Sequence, residues 1–222
     1  MRTANMGIGT GAFIDQRDDW ALAVGRAVDE RWRVVELTAI TEDRYEALRA
    51  YLAGEAELGR FERVSVHAPA VLRSSPAEMA EALVESDLPY DVILHPDLYR
   101  DQDALATLGR RAVFENMDIV KAFGRTVEDL AWIFGRFPEA ALCLDVAHVW
   151  TNDRSLRLGF ELLEAFGDRL RQVHLSGIEP DGRHRTTTET DLALYEPLLS
   201  ECGHVPWVLE AELASGGALT DA

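Results

Sequence analysis

Eight short apolar runs recur along the chain, most of them followed by a stretch with helical spacing. This alternation constrains the fold more than any other feature of the sequence. The runs span 7–14, 34–39, 64–69, 91–96, 112–117, 141–146, 172–176 and 207–211. Several are apolar without interruption, such as Val92-Ile93-Leu94 and Leu142-Cys143-Leu144, the mark of parallel strands covered on their outer face. Helical patterns occupy 21–32, 41–58, 77–84, 130–134, 155–166 and 189–199, while 101–110 supports a short helix at best. Ser75-Pro76-Ala77-Glu78 is a capping-box pattern with proline at the first helical position. Strand alternating with helix eight times in 222 residues predicts an α/β fold, a compact (β/α)8 TIM barrel in a single domain over 1–222. The alternative is a doubly wound open sheet, but its glycine signature is missing. Gly7-Ile8-Gly9-Thr10-Gly11 has glycines without the spacing and runs into Ala12-Phe13-Ile14 instead of opening a helix. After the last run only 215–222 remain, so the last helix is expected to be short or missing and the barrel wall open there. An uncovered wall would be a sizeable apolar patch, which predicts a homodimer.

Composition enters where it excludes whole classes. Hydrophobic residues make up 47% of the chain, as in a globular protein. No apolar run approaches the roughly 20 residues of a membrane helix, and the opening Met1-Arg2-Thr3-Ala4-Asn5 lacks the regions of a secretory signal. Cys143 and Cys202 are the only cysteines, and Cys143 sits inside an apolar run. No disulfide scaffold is indicated, and the cytoplasm is the expected location. With 39 acidic residues against 22 basic, the net charge is −17. That balance argues against a protein that grips phosphate backbones, so nucleic acid is not the expected partner.

The polar residues inside this frame fall at strand ends. His67 follows Val64-Ser65-Val66, His95 follows Val92-Ile93-Leu94, and Glu115 follows Ala112-Val113-Phe114. Asp145 follows Leu142-Cys143-Leu144, His174 follows Val173, and Glu210 follows Trp207-Val208-Leu209. In a parallel barrel these ends converge on one mouth, where active sites form. Carboxylates crowded there repel one another and resist ionisation. A divalent cation such as Zn, Mn, Co or Fe resolves the conflict by accepting imidazole nitrogen and carboxylate oxygen together. No organic cofactor is expected. His148 follows Asp145 by three residues and reaches the same site if the chain turns out of the strand after Asp145. His148 and His184 are read either as additional metal ligands or as substrate-binding groups. Arg183 is either a substrate contact or a solvated loop residue, and Glu36, on the second run, is either a site residue or an interior carboxylate. Trp150 either walls the pocket or packs. Lys121 and Arg125 are weaker candidates for a phosphate contact, and His204 lies in a turn at the opposite end of the barrel.

Val66-His67-Ala68-Pro69, Leu94-His95-Pro96, Phe114-Glu115-Asn116-Met117, Leu144-Asp145-Val146-Ala147-His148, Val173-His174-Leu175-Ser176 and Leu209-Glu210-Ala211, taken in order, resemble the xylose-isomerase-like TIM barrels. That superfamily includes sugar phosphate isomerases and epimerases and the endonuclease IV type of AP endonuclease. The resemblance to the epimerase branch implies that Glu115, Asp145, His174 and Glu210 hold one manganese-like ion. It also implies that the two glutamates move a proton on and off a carbon beside a carbonyl, with His148 and a loop arginine, here Arg183, holding substrate hydroxyls. The resemblance to the endonuclease branch implies three zinc ions that also use His67, His95, His148 and His184. That branch has an aspartate two residues before the last histidine, where this sequence has Gly182, with Asp181 one step away.

The expected activity is therefore metal-dependent isomerisation or epimerisation of a small polar, carbohydrate-like substrate, with Glu115 and Glu210 catalytic. The alternatives are a metal-dependent phosphodiester hydrolase and a multi-metal oxidase or non-catalytic binding protein on the same barrel.

Overall fold

All eight apolar runs contribute a strand in a computed structural model, which describes residues 5–16, 19–54 and 58–211. The first seven are β1 (Met6–Gly9), β2 (Val34–Thr38), β3 (Arg63–His67), β4 (Asp91–Leu94), β5 (Ala112–Glu115), β6 (Ala141–Asp145) and β7 (Leu170–Leu175). A small antiparallel hairpin follows, β8 (Gly177–Ile178) with β9 (His184–Arg185), and then the last barrel strand, β10 (Trp207–Leu209). The order β1-β10-β7-β6-β5-β4-β3-β2 closes on itself, and every pair in it is parallel. This is the (β/α)8 barrel, and a closed ring excludes the open doubly wound sheet. Closure extends to the last strand. β10 pairs with β1 through Met6↔Trp207, Gly7↔Val208 and Ile8↔Leu209, and with β7 on its other edge. A ladder of backbone hydrogen bonds needs no outer helix to form, so a missing helix does not open the seam. The expected short or absent last helix falls in 215–222, outside the described residues, as does any cover of the wall on which the homodimer expectation rested.

Most of the described helices begin where a side chain caps them. The helices are α1 (Trp20–Asp29), α2 (Glu42–Leu52), α3 (Pro76–Glu85), the single turn α4 (Pro96–Tyr99), α5 (Val127–Arg136), α6 (Val146–Asn152), α7 (Arg157–Phe166) and α8 (Glu189–Ser200). At α3 the capping box is complete. Glu78 N donates to Ser75 Oγ at 3.2 Å, and Ser75 N donates to the Glu78 carboxylate at 2.9 Å. The stretch 101–110 forms only a 3-10 segment, Asp103–Arg111.

β1 is shorter than its pattern predicts. It ends at Gly9 and gives way to a 3-10 turn, Thr10–Ala12, whose Thr10 hydroxyl accepts a hydrogen bond from Thr38 N at 2.9 Å. Gly7 is required by the close approach of β1 to β2, since a β-carbon there would stand 2.7 Å from Val34 Cβ. Along the strands, alternate residues serve two environments. Val35, Leu37, Val66, Leu94, Phe114 and Leu144 join the main core shared with the helices, whereas Ile93, Val113, Ala141 and Cys143 form a separate cluster. The latter share the alternation of Glu115 and Asp145 and fill part of the barrel interior. Among the described residues no helix is long and apolar enough to cross a membrane.

Candidate metal centre

Period-two alternation sends Thr38, His67, His95, Glu115, Asp145, His174 and Glu210 to the inside of the barrel at its C-terminal end. A cavity of about 670 Å³ opens there. His67, His95, Glu115 and Glu210 lie at its base. His148, His184 and Asp118 line one side, and Gly11, Thr38, Ile40, Thr41, Asp43 and Arg44 line the rest. The volume falls in the range of small-molecule sites.

Beneath the cavity, Glu115, Asp145, His174 and Glu210 each bring one ligand atom to within 4.8 Å of all the others. His174 Nδ1 is 3.3 Å from Glu115 Oε1 and 3.0 Å from Glu210 Oε1. Asp145 and His174 are fully buried and Glu115 is 1% exposed. Among the described residues no hydrogen bond reaches Glu115 Oε2, Asp145 Oδ2, His174 Nδ1 or Glu210 Oε2, all of them buried atoms. Unpartnered polar atoms at such depth are costly. Three carboxylates and one imidazole, each with a ligand atom within 4.8 Å of the others, form a donor set that fits a divalent cation.

Among the described residues three further groups adjoin the first, one of them Glu36 with His67 and Glu210. His67, His95 and Glu115 bring ligand atoms within 4.8 Å of one another, as do Asp145, His148 and His184. His67 Nε2 and His95 Nε2 both lie 3.5 Å from Glu115 Oε2, and the two rings meet edge to face, 4.9 Å apart. His67 Nδ1 bonds to the Ala68 carbonyl at 2.8 Å, which turns Nε2 toward the site. His148 Nε2 and His184 Nε2 stand 3.0 Å apart.

The chain holds these groups by local means. Asp145 ends β6 and is at once the N-cap of α6, its Oδ1 accepting from His148 N at 2.7 Å. His148 thus comes over the site because a helix starts directly after Asp145. Asn116 pins the same junction, accepting from Asp145 N at 2.8 Å and donating to Asp145 O at 3.0 Å. Its own carbonyl meets His148 Nδ1 at 2.8 Å. His184 rides on β9. The next residue, Arg185, clamps Asp191 of α8 with a two-pronged pair at 2.6 and 2.8 Å.

Proton affinities follow from this crowding. Burial raises an acid, yet the Glu115 carboxyl lies well below its usual range because His174, His67 and His95 surround it. Burial dominates at Asp145 and pushes it up. His174 is held well above the usual imidazole value, the carboxylates of Glu210, Glu36 and Glu115 outweighing burial. His67 rises to about 9 because Glu115, Glu36 and Glu210 outweigh burial. His95 falls, first through burial and then despite the Glu115 contact, with the charge of His67 adding to the fall. The two rings share one carboxylate and compete for one proton. His148 is raised by Asp145 and Glu115 against burial, whereas His184 is lowered by burial and by the charge of His148.

Not every candidate arrives at the mouth. Arg183 points away, 78% exposed at its side chain and paired with Asp181 at 2.8 Å. Glu36 is fully buried below the cavity without lining it. Its Oε2 accepts from Ser65 Oγ at 3.2 Å and Gln172 Nε2 at 2.8 Å, and contacts His174 Nε2 at 3.0 Å. Trp150 packs on the core beneath Arg154 and does not line the cavity. Lys121 pairs with Asp97 and Arg125 with Asn152. His204 is exposed in the turn before β10. Three residues escaped the sequence reading. Ser65 and Gln172 lie under the site, each two residues before a strand-end histidine, a spacing that could have flagged them. Asp118, in the loop after β5, lines the cavity with Oδ2 3.9 Å from His148 Nε2. Position 182 has a φ of +84°, a left-handed conformation that favours glycine, and a β-carbon there would stand 3.5 Å from Asp118 Oδ1.

Comparison with solved structures agrees with this architecture. A D-tagatose 3-epimerase-like protein matches with TM-score 0.61 at 15% identity, over 94% of this chain and 90% of its own. The probable 3-DHS dehydratase AsbF, involved in petrobactin synthesis in Bacillus anthracis, matches with TM-score 0.64 at 13% identity, over 94% and 92%. An L-ribulose 3-epimerase matches with TM-score 0.59 at 13% identity, over 96% and 82%. These neighbours are xylose-isomerase-like TIM barrels, and at such identities the likeness establishes a shared fold. By sequence, no family model and no curated protein matches the chain.

Proposed function

We propose that the protein is a divalent-metal-dependent isomerase or epimerase of a small, polar, carbohydrate-like substrate. The observation that carries this reading is the pair Glu115 and Glu210. Both sit at the base of the cavity, and both lie within 3.3 Å of the same His174 nitrogen. Glu115, Asp145, His174 and Glu210 would hold the ion, which when bound polarises a carbonyl and lowers the barrier to removing a proton from the adjoining carbon. One glutamate takes that proton and the other returns one, general acid–base work worth about 10²–10⁴-fold in rate. Glu115 is suited to the base form, since three imidazoles keep it ionised. His148 and His184 stand at the cavity wall within reach of hydroxyl groups. The sugar epimerases among the structural neighbours favour this class of substrate by analogy of fold.

The test is deuterium exchange from solvent into a broad panel of ketoses and aldoses, using protein loaded with Mn, Co or Zn. Incorporation beside the carbonyl, lost in Glu210→Gln, is the expected result. No exchange into any sugar rejects the proposal.

A second reading is favoured by the shared contact of His67 and His95 with Glu115 Oε2. That group would let Glu115 bridge two ions, as in phosphodiester hydrolases or multi-metal oxidases. The charge of −17 disfavours DNA as its substrate. Metal content per chain separates the two readings. About one ion supports the isomerase, and two or three zinc or iron ions turn the search to phosphoesters or oxygen chemistry.

A further inference from the structure

Glu36 is a carboxylate with no access to the cavity. It cannot touch a substrate there, yet it is tied to the candidate centre from below. Ser65 is its neighbour on β3, and its other partners come from across the barrel. β2 neighbours β1 and β3 in the ring, and β7 neighbours β10 and β6, so contacts from Glu36 to Gln172 and His174 span the interior. One oxygen, Oε2, receives Ser65 Oγ at 3.2 Å, Gln172 Nε2 at 2.8 Å and His174 Nε2 at 3.0 Å. The Gln172 and His174 nitrogens are themselves 2.8 Å apart, a contact whose direction follows the tautomer of His174. The opposite edge of the His174 ring presents Nδ1, which has no hydrogen bond among the described residues and faces Glu115 and Glu210.

We infer that Glu36 is a positioning residue: it accepts the Nε2 proton of His174, which fixes the ring and leaves Nδ1 as the ligand atom. An imidazole binds a cation through one nitrogen, and a carboxylate on the other sets its tautomer and direction. Ser65 and Gln172 complete the arrangement by holding the carboxylate in place. The inference rests on the proposed metal site and adds a specific requirement to it, namely a buried anion directly beneath the ligand layer.

The experiment compares zinc affinity, by chelator competition, for the wild type, Glu36→Gln and Ser65→Ala. In parallel, nitrogen-15 spectra are recorded on the wild-type zinc form. Loss of a comparable supporting partner weakens metal binding by about 10–100-fold, and that is the expected result for Glu36→Gln. Ser65→Ala removes one of the contacts to Glu36 and none to His174, and is expected to weaken zinc binding by less than Glu36→Gln does. In the wild type, His174 Nε2 is expected to carry a slowly exchanging, hydrogen-bonded proton while Nδ1 is the metal-bound nitrogen. The inference is overturned if Glu36→Gln binds zinc as tightly as the wild type. It is overturned equally if zinc sits on Nε2, a result that needs no variant to fold. A wild type that binds no metal sinks both this inference and the function it rests on, whereas the first two outcomes sink the inference alone.

Discussion

The two halves of the barrel interior beneath the ligand layer are built from opposite materials. On the side of β2, β3 and β7 the supporting residues are Glu36, Ser65 and Gln172, joined by hydrogen bonds. On the side of β4, β5 and β6 they are Ile93, Val113, Ala141 and Cys143, a small apolar cluster. Most of these residues lie two positions before a strand-end residue, so the pleat stacks one layer on the next. The difference shows what each ligand type needs from below. An imidazole has two nitrogens, and a polar floor decides which of them faces the site. A carboxylate needs no such instruction. Over an apolar floor, Glu115 and Asp145 are compensated from above and beside, Glu115 by the imidazoles of His174, His67 and His95 and Asp145 by the His148 backbone N–H.

The largest effect should come from removing the charge above the apolar half. Glu115→Gln keeps the shape but leaves no anion between His67, His95 and His174. Substrate proton exchange is expected to fall by about 10²–10⁴-fold, with metal content falling too, both read on purified protein. Unchanged metal and turnover would mean that the three imidazoles do not depend on this carboxylate.

Next in size is damage to the apolar floor itself. Ile93→Ala opens a cavity and is expected to cost about 2–5 kcal/mol in a urea unfolding series, while metal content per chain stays near the wild-type value. If stability holds and metal is lost instead, the apolar half positions ligands as the polar half does, and the contrast between them fails.

The smallest expected effect is confined to a pH window. His67 lies above the polar half, and its folded value of about 9 exceeds the ordinary 6.5. A group that holds its proton more tightly when folded adds stability in full below its unfolded pKa and loses that contribution as pH rises through the folded one. His148 and His174 shift in the same direction. His95 and His184 shift downward, so they are neutral in both states above 6.5 and do not oppose the trend there. Metal-free protein should therefore lose stability between about pH 6.5 and 9, while metal affinity rises across the same range because the ion displaces those protons. A flat unfolding profile from pH 6.5 to 9 would show that these protons are not held by the fold.

The strand-end residues were legible because each follows an apolar run, and the pleat then fixes its direction. His67, His95, Glu115, Asp145, His174 and Glu210 all come together on that rule alone. The rule fails where the period stops. Arg183 sits in the turn of a two-stranded hairpin, where no repeat sets a side chain's direction, and it pairs with Asp181 instead of facing the cavity. β1 was read too long because a run of glycines carries no side-chain pattern to mark its end. Ser65 and Gln172 were hidden for the reverse reason. Their spacing from His67 and His174 places them on the inner face, but only the folded position of Glu36 shows what they hold there. The role of Asn116 is likewise tertiary, since its carboxamide matters only once β5 and β6 lie side by side.

The seam between β1 and β10 bears on the order of events during folding. It joins Met6 to Trp207 and so closes a loop of nearly the whole described chain, a contact of very high sequence separation and correspondingly slow to form. Glu210 follows directly on that strand. A chain still emerging from the ribosome has His67, His95, Glu115 and Asp145 in hand well before it has Glu210, and it can assemble the full four-residue centre only after the last strand has docked. Tight capture of an ion by the proposed centre would thus report that the ring has closed.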